Sequence, residues 1–122
     1  MIVAVGLDIA DIARFERAMS HTPRLAPRLF VESELLRDDG QQRALRSLAG
    51  RFAAKEAVFK ALGGRTNRWH DVIIDRAERG RPNLRLIGEA LELATEAGAD
   101  RWHVSITHDG GLAAAVAVLE AS

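Results

Sequence analysis

Two acidic residues stand where the surrounding sequence pattern predicts apolar side chains. Asp8 ends an apolar segment that begins at Ile2. Glu56 falls within an apolar helical stripe and is flanked by Lys55 and Lys60. The stripe consists of Leu45, Leu48, Phe52 and Phe59. Because burial of an unpaired carboxylate costs several kcal/mol, each acid needs a partner, a proton or a ligand. A carboxylate at a strand end and one on a helix can together bind a hard, oxygen-preferring cation, for which Mg²⁺ is the natural candidate.

Both acids also have ordinary explanations. Glu56 lies four residues before Lys60, so the two side chains could form an ion pair on a solvated shoulder of the helix. Asp8 could cap a helix or a turn. The residues by themselves leave these alternatives open beside the metal site.

The composition predicts a single domain over residues 1–122. The chain is 48% apolar and 28% charged, as in ordinary globular proteins, and its seventeen basic and seventeen acidic side chains cancel. Net charge therefore favours neither nucleic-acid nor membrane binding. The chain has no cysteine, which fits a reducing compartment. The first eleven residues lack a basic region and are too short for a signal peptide or a membrane span, so we expect a cytoplasmic protein.

The elements that position the two acids follow from periodicity. We predict a buried strand over residues 2–7, a helix capped by Asp11 with Arg14 and Arg17 facing outward, a short helix near residues 32–38, and a long helix within residues 40–64 that is closed by Gly63 and Gly64. Two β segments around the Gly80-Arg81-Pro82 turn, a helix near residues 88–99 and a final hairpin follow. Helices and hairpins without a regular βαβ repeat predict an α+β fold.

Four blocks of the sequence, GLDIADIARFER, GRFAAKEAVFKALG, GRPNLRLIG and HVSITH, occur in the order typical of one enzyme family. In these blocks the chain resembles the holo-acyl-carrier-protein synthases, the small 4'-phosphopantetheinyl transferases, from Ile2 to Val118. The resemblance implies an antiparallel sheet packed with a long central helix and shorter helices. It also implies an enzyme that transfers the 4'-phosphopantetheine moiety of coenzyme A to a serine of an acyl carrier protein and releases adenosine 3',5'-bisphosphate.

The resemblance assigns roles to the two acids. It implies that Asp8 and Glu56 are ligands of Mg²⁺, with water and pyrophosphate oxygens completing the shell, and that Lys60 meets the phosphates. Glu56, Lys60, His108 and Asp109 would then carry the chemistry, with Asp109 a possible base for the serine hydroxyl. His108 would approach a phosphate oxygen or assist proton transfer, although a histidine ending a strand is by itself more often structural.

The resemblance also assigns the binding surfaces. Arg43 and Arg51 would lie on the long helix near the 3'-phosphate of coenzyme A, and the turn formed by Gly80, Arg81 and Pro82 would lie against the adenine nucleotide. The same arginines could instead form a solvated helix face, and any hairpin favours glycine and proline at its turn. The resemblance also implies a homotrimer, with each active site between neighbouring chains.

An acidic carrier needs a basic docking surface. Arg14 and Arg17 share one helix face, Arg24 and Arg28 follow soon after, and Arg14 matches the carrier-contacting arginine of the family. Met19 and Phe30 could add apolar contact or belong to the core. The partner would be an acyl carrier protein or the carrier domain of a fatty-acid or polyketide synthase.

Some positions depart from the family pattern. Many relatives have an acid where this chain has Ile73, which leaves Asp71 and Asp75 nearby, so no ligand is assigned there. Trp69 and Trp102 could stack on a base, but tryptophans at strand starts are more often core anchors.

Two rival function classes remain. One is a non-catalytic module that binds coenzyme A or a nucleotide, which would not need paired carboxylates. The other is a nucleic-acid-binding domain, against which the balanced charge and the sparse aromatic residues argue.

Overall fold

The computed structural model describes residues 1–76 and 80–122, and their architecture is α+β, as predicted. In chain order the elements are β1 (Ile2–Asp11), α1 (Ile12–His21), α2 (Leu25–Leu29), α3 (Glu32–Leu35), α4 (Leu45–Ala61), a short 3₁₀ helix (Trp69–Asp71), β2 (Val72–Arg76), β3 (Pro82–Leu86), α5 (Gly88–Glu96), β4 (Arg101–Asp109) and β5 (Leu112–Glu120).

Two antiparallel sheets form the β layer. One sheet has the strand order β1-β5-β4, and the second is the hairpin of β2 and β3. Alternate side chains of β5 are fully or almost fully buried. Ala115, Ala117 and Leu119 pack in the main core, and Ala113 packs in a second cluster with Phe15 and Phe30. In the residues described, no helix is long and apolar enough to cross a membrane.

The first strand is longer than the apolar run that predicted it. Strand β1 continues to Asp11, so Asp8 lies within the strand rather than at its end, paired with Ala115 of β5. Asp11 caps α1 as predicted, because its Oδ1 accepts a hydrogen bond from the Arg14 backbone N–H at 2.9 Å. Pairing with β5 extends the strand, and local hydrophobicity cannot report that pairing.

Strand alternation places Asp8 on the face that packs against α4. Gly6 lies two residues earlier on that same face, and a Cβ added at Gly6 would come within 1.8 Å of the Ala57 carbonyl oxygen. Only glycine therefore allows α4 to approach β1 this closely. The opposite face of β1 exposes Val5, Leu7 and Ile9, whose exposed fractions of 56%, 61% and 60% leave a row of aliphatic side chains uncovered in one chain.

The long helix begins later than its periodicity predicted. Helix α4 starts at Leu45, because Leu36 and Gln42 form an isolated β bridge around a turn at Gly40, where φ is +82°. Arg43 consequently precedes the helix, and the prediction that it lies on the helix was wrong. The predicted end was correct within a residue or two, since Gly63 and Gly64 follow Leu62 with positive φ.

Candidate active site

Asp8, Glu56 and Lys60 come together where α4 passes β1. Lys60 Nζ lies 2.6 Å from Asp8 Oδ1 and 3.4 Å from the Leu7 carbonyl oxygen. The Asp8 side chain is only 11% exposed, whereas Lys60 is 59% exposed and still faces solvent. The ion pair considered as an alternative for Glu56 is therefore made by Asp8 instead.

Glu56 is half-buried and electrostatically coupled to its neighbours. Burial raises the pKa of the Glu56 carboxyl above its usual value, the nearby charge of Asp8 raises it further, and Lys60 opposes both effects. The hydrogen bond to Asp8 and the charge of Asp8 raise the pKa of Lys60. The charge of Asp8 thus acts on both Glu56 and Lys60, which places the three side chains in one electrostatic site.

These two carboxylates suit Mg²⁺. Among the described residues no group of three or more His, Cys, Asp or Glu side chains is placed to enclose a metal ion. Mg²⁺ is commonly held by only one or two carboxylates, with water and substrate phosphates supplying its other oxygen ligands. The donor set of Asp8 and Glu56 therefore fits an ion that arrives with a phosphate ligand better than an ion caged by protein.

A second group of predicted residues lines a cavity of about 170 Å³ beside the first turns of α4. Its lining consists of Ser47, Arg51, Arg76, Gly80, Pro82, Ile106 and His108. A Cβ added at Gly50 would lie 2.9 Å from His108 Nε2, so the glycine lets His108 approach the helix. His108 Nε2 also lies 3.1 Å from the Arg46 carbonyl oxygen.

The guanidinium of Arg51 makes this cavity cationic. Its Nε donates to the Ile74 carbonyl oxygen at 3.2 Å and its Nη1 donates to Ser47 Oγ at 2.7 Å. Burial lowers the pKa of Arg51 to about 10, with a smaller contribution from the charge of Arg43. Arg51 therefore stays protonated at neutral pH, and a cavity with a buried cation and a histidine is suited to an anion such as a phosphate group.

The two groups lie at opposite ends of α4 within one chain. His108 contacts helix positions 46 and 50, whereas Asp8 contacts position 60. At a rise of 1.5 Å per residue, these positions are separated by about 15 to 21 Å along the helix axis. A single chain therefore does not bring the predicted phosphate-binding residues together.

Three of the residues predicted for catalysis or coenzyme binding lie outside both groups. Arg43 is buried, and its guanidinium donates from Nε to the Glu34 carbonyl oxygen at 2.9 Å and from Nη2 to the Leu36 carbonyl oxygen at 3.0 Å. Arg81 is exposed and lines a separate cavity with Trp102. Asp109 is exposed at the end of β4. The β hairpin predicted around Gly80 is present, and its residues 77–79 lie outside the described part of the chain.

The predicted docking arginines share the exposed side of α1. Arg14 and Arg17 are both exposed, and Arg14 borders an apolar groove of about 430 Å³ that is lined by Phe15, Leu25, Leu29, Phe52 and Trp69 among others. Phe30 is almost completely buried, so it belongs to the core rather than to a docking surface. Met19 packs partly against the same core cluster.

The aromatic and acidic residues near β2 have structural roles. Trp69 stacks on Phe52 with ring centroids 5.4 Å apart, which confirms it as a core anchor. Asp71 Oδ2 accepts a hydrogen bond from the Glu89 backbone N–H at 2.9 Å, at the start of α5. Asp75 pairs with Arg85 at 3.2 Å. Asp71 and Asp75 therefore both have partners within the chain.

Sequence analysis missed one buried pair. Lys55 Nζ lies 2.8 Å from Glu34 Oε1, and both side chains are fully buried. The helical pattern placed Lys55 on the flank of the apolar stripe, and nothing in its spacing points to a carboxylate twenty-one residues earlier. Only the packing of α3 against α4 reveals this contact.

Comparison with known proteins agrees with this geometry. Residues 4–117 match the family model of the 4'-phosphopantetheinyl transferase superfamily. A holo-[acyl-carrier-protein] synthase from Salinispora arenicola is 51% identical over 121 residues, which cover 98% of this chain and 99% of that protein. Among solved structures, the acyl carrier protein synthase of Mycobacterium tuberculosis is 38% identical, with a TM-score of 0.74 and full coverage of both chains. The Helicobacter pylori holo-[acyl-carrier-protein] synthase in complex with coenzyme A is 29% identical, with a TM-score of 0.80 and coverage of 95% of this chain and 99% of that chain.

Proposed function

The chain belongs to the 4'-phosphopantetheinyl transferase superfamily, and we propose that it works as a holo-acyl-carrier-protein synthase with a magnesium site shared between neighbouring copies of the chain. It is a transferase that moves the 4'-phosphopantetheine moiety of coenzyme A onto an apo acyl carrier protein. The contact of Asp8 with Lys60, beside the half-buried Glu56, is the observation that carries the proposal for the catalytic centre.

Asp8 and Glu56 hold Mg²⁺ in this proposal. When bound, the ion would neutralise negative charge on the pyrophosphate oxygens of coenzyme A, which is the main requirement of phosphoryl transfer. Lys60 donates to a phosphate oxygen while it keeps its contact with Asp8, because an ammonium group has three donors and this one is exposed to solvent. Burial and the charge of Asp8 raise the pKa of Glu56, and the charge of Lys60 lowers it; a bound ion would act in the same direction as Lys60.

The reaction exchanges one phosphorus–oxygen bond for another. The serine oxygen of the carrier forms a bond to the phosphorus atom that bears pantetheine, and the bond from that phosphorus to the bridging oxygen breaks. Adenosine 3',5'-bisphosphate leaves with the bridging oxygen. Asp109 accepts the serine proton, directly or through water, and His108 donates a hydrogen bond to a phosphate oxygen.

The coenzyme is bound by two neighbouring chains. One chain contributes Asp8, Glu56 and Lys60, and the next contributes His108, Arg51 and the turn at Gly80, Arg81 and Pro82. The separation of these groups along α4 supports this arrangement, and so does the row of exposed aliphatic side chains on β1, which a neighbouring chain would cover. We propose a homotrimer, in which three such sites form by cyclic symmetry.

The role proposed for Arg43 is indirect. Its hydrogen bonds to the carbonyl oxygens of Glu34 and Leu36 support the segment before α4. Arg43 therefore contributes to coenzyme binding only indirectly, by supporting Arg51 and its cavity. Among the described residues, those that line the Arg51 cavity do not include Arg43, so its guanidinium is not placed to bind a phosphate there directly.

The carrier protein docks on α1. Arg14 and Arg17 meet its acidic surface, and the groove beside Arg14 admits an apolar side chain. The acyl carrier protein is either free or a carrier domain of a fatty-acid or polyketide synthase. We propose that the enzyme acts in the cytoplasm, where coenzyme A and these carriers are present together.

Incubation with coenzyme A, Mg²⁺ and a panel of apo carriers tests the proposal. We expect a carrier to gain the mass of the phosphopantetheine arm, and the gain to stop when a chelator removes the metal. A chain that binds coenzyme A but modifies no carrier would be a binding module instead. Transfer that is unaffected by the chelator would overturn the metal assignment.

A further inference from the structure

The strongest feature outside the proposed catalytic groups is the buried ion pair of Glu34 and Lys55. Lys55 Nζ donates to Glu34 Oε1 at 2.8 Å, to the Trp69 carbonyl oxygen at 2.8 Å and to the Val72 carbonyl oxygen at 2.6 Å. All three ammonium protons therefore have an acceptor, and no freedom of rotation remains for the group.

The carboxylate of Glu34 is satisfied in the same way. Besides Lys55, its Oε1 accepts from the Val31 backbone N–H and its Oε2 accepts from the Ile74 backbone N–H, each at 3.0 Å. One pair of side chains thereby joins α4, α3, the 3₁₀ helix and β2. Replacing such a pair by apolar residues is often harmless to stability, so its stability contribution alone does not explain it.

The segments that hold the pair are themselves fixed. Arg43 donates to the main-chain oxygen of Glu34, and Arg51 donates to the Ile74 carbonyl oxygen. Lys55 consequently meets a rigid frame formed by α3 and β2 rather than a movable loop.

The position of Lys55 on α4 determines which neighbouring side chain the frame of α3 and β2 can orient. Successive residues of a helix are rotated by about 100°, so Lys55 and Ala57 face nearly opposite sides while Glu56 faces a direction between them. The main chain of α4 at Ala57 lies against Gly6 of β1, and the Lys55 side chain lies against α3 and β2. The turn that carries Glu56 is therefore held from both sides, which prevents α4 from rotating about its axis.

We propose that the Glu34–Lys55 pair is a positioning device, which sets the rotation of α4 and thereby directs Glu56 towards Asp8. Neither residue of the pair touches the substrate in this scheme. The inference rests on the proposed function, because it assigns Glu56 to the metal site. It predicts that disturbing the pair impairs metal use and turnover more than carrier recognition, which depends on α1.

Two variants test the proposal. Glu34→Gln keeps the shape of the side chain but removes its charge, and the double variant with Glu34→Gln and Lys55→Met removes both charges, so that no unpaired charge stays buried. Leu119→Ala is the control, because it opens the core at the far end of β5 without touching the pair. The concentration of Mg²⁺ that gives half-maximal rate, kcat, and KM for the carrier are measured together with the melting temperature.

We expect both variants either to require more Mg²⁺ or to lose kcat, by about 10- to 100-fold, as is typical when support of a ligand is lost. KM for the carrier should stay within about twofold, and the control should retain kcat despite its lower melting temperature. A folded double variant with wild-type kcat and metal dependence would overturn the proposal. If Glu34→Gln does not fold, the double variant decides.

Failure of the proposed function would be recognised separately, because the wild-type chain would then modify no carrier. In that case crystal structures of the wild type and the double variant decide the positioning role. Glu56 should turn away from Asp8 in the variant. An unchanged direction of the Glu56 side chain would contradict the inference regardless of activity.

Discussion

Lys60 Nζ lies 2.6 Å from Asp8 Oδ1, and this contact joins the last turns of α4 to the middle of β1 across fifty-two residues of sequence. The same contact leaves the Glu56 carboxylate without the i,i+4 lysine partner that helix spacing offered it. Tertiary packing thus brings two acids and one ammonium group together.

Replacement of either proposed metal ligand should abolish transfer without unfolding the chain. Asp8→Asn and Glu56→Gln each remove a charged ligand with little change of volume, so we expect kcat to fall by at least about 100-fold while circular dichroism stays unchanged. Turnover is measured at increasing Mg²⁺ concentration. Glu92→Gln, an exposed change on α5, is the matched control. Near-normal activity of either ligand variant at saturating Mg²⁺ would contradict the assignment.

The stability of metal-free Glu56→Gln should depend on pH relative to the wild type. Burial and Asp8 raise the pKa of Glu56, so the folded wild type keeps this proton at pH values where the unfolded chain has released it. Wild-type stability is therefore lost as pH rises from the ordinary glutamate pKa through the raised one, whereas glutamine does not titrate.

Melting temperatures of the two proteins in a chelator measure this effect. The difference in favour of the variant should be smallest near pH 4 and larger near pH 7, above the ordinary pKa of glutamate. A difference that does not change with pH would mean that Glu56 is not perturbed in the folded chain.

Two inactive variants should restore activity when they are mixed, if the site lies between chains. Glu56→Gln retains an intact His108, and His108→Ala retains an intact Glu56, so some interfaces of a mixed assembly combine the two intact halves. Random exchange of equal amounts predicts that about one quarter of the interfaces are of this kind. We therefore expect about a quarter of wild-type activity after unfolding and refolding the mixture together.

The control for this experiment is a mixture of separately refolded variants, measured before subunits exchange. A site contained within one chain would give no recovery in either mixture. Leu7→Glu, which places charge on the exposed aliphatic row of β1, should yield monomers and lose activity, whereas Leu91→Glu on α5 should change neither. Sedimentation velocity measures the assembly, and a fully active monomer at low nanomolar concentration would contradict the trimer.

Charge reversal on α1 should separate carrier recognition from coenzyme binding. Arg14→Glu repels an acidic carrier, so KM for the carrier should rise by about 10-fold or more, mainly through slower association, while binding of coenzyme A changes little. Added salt should weaken carrier binding by the wild type more than by the variant, because screening removes the attraction.

Arg37→Glu, an equal change of charge on an exposed turn outside α1, is the control for that prediction and should leave KM for the carrier near its wild-type value. Calorimetry with coenzyme A and steady-state kinetics with the carrier are measured side by side. Equal losses for the two ligands would mean that Arg14 supports the fold or the nucleotide site.

Local sequence was sufficient for much of the fold and for the identity of the chemical groups. The α+β class, the Asp11 cap and the glycine end of α4 follow from periodicity and capping, which depend on residues a few positions apart. The acids at positions 8 and 56 were recognisable because a carboxylate on an apolar surface is costly and needs an explanation. The order of four short blocks indicated the family, and comparison with known proteins confirmed it.

Tertiary structure alone decided how these groups are partnered and separated. Helix spacing makes an i,i+4 ion pair between Glu56 and Lys60 possible. The close approach of β1 at Gly6 places Asp8 beside Lys60, and Asp8 forms the ion pair instead. Helix spacing gives Lys55 no partner, whereas in the folded chain Lys55 forms a buried ion pair with Glu34 of α3. The length of α4 keeps His108 away from Asp8 within one chain. Periodicity predicts the direction in which a side chain leaves its own helix or strand. The partner of that side chain depends on which distant element packs against that face, and the packing is set by the whole chain.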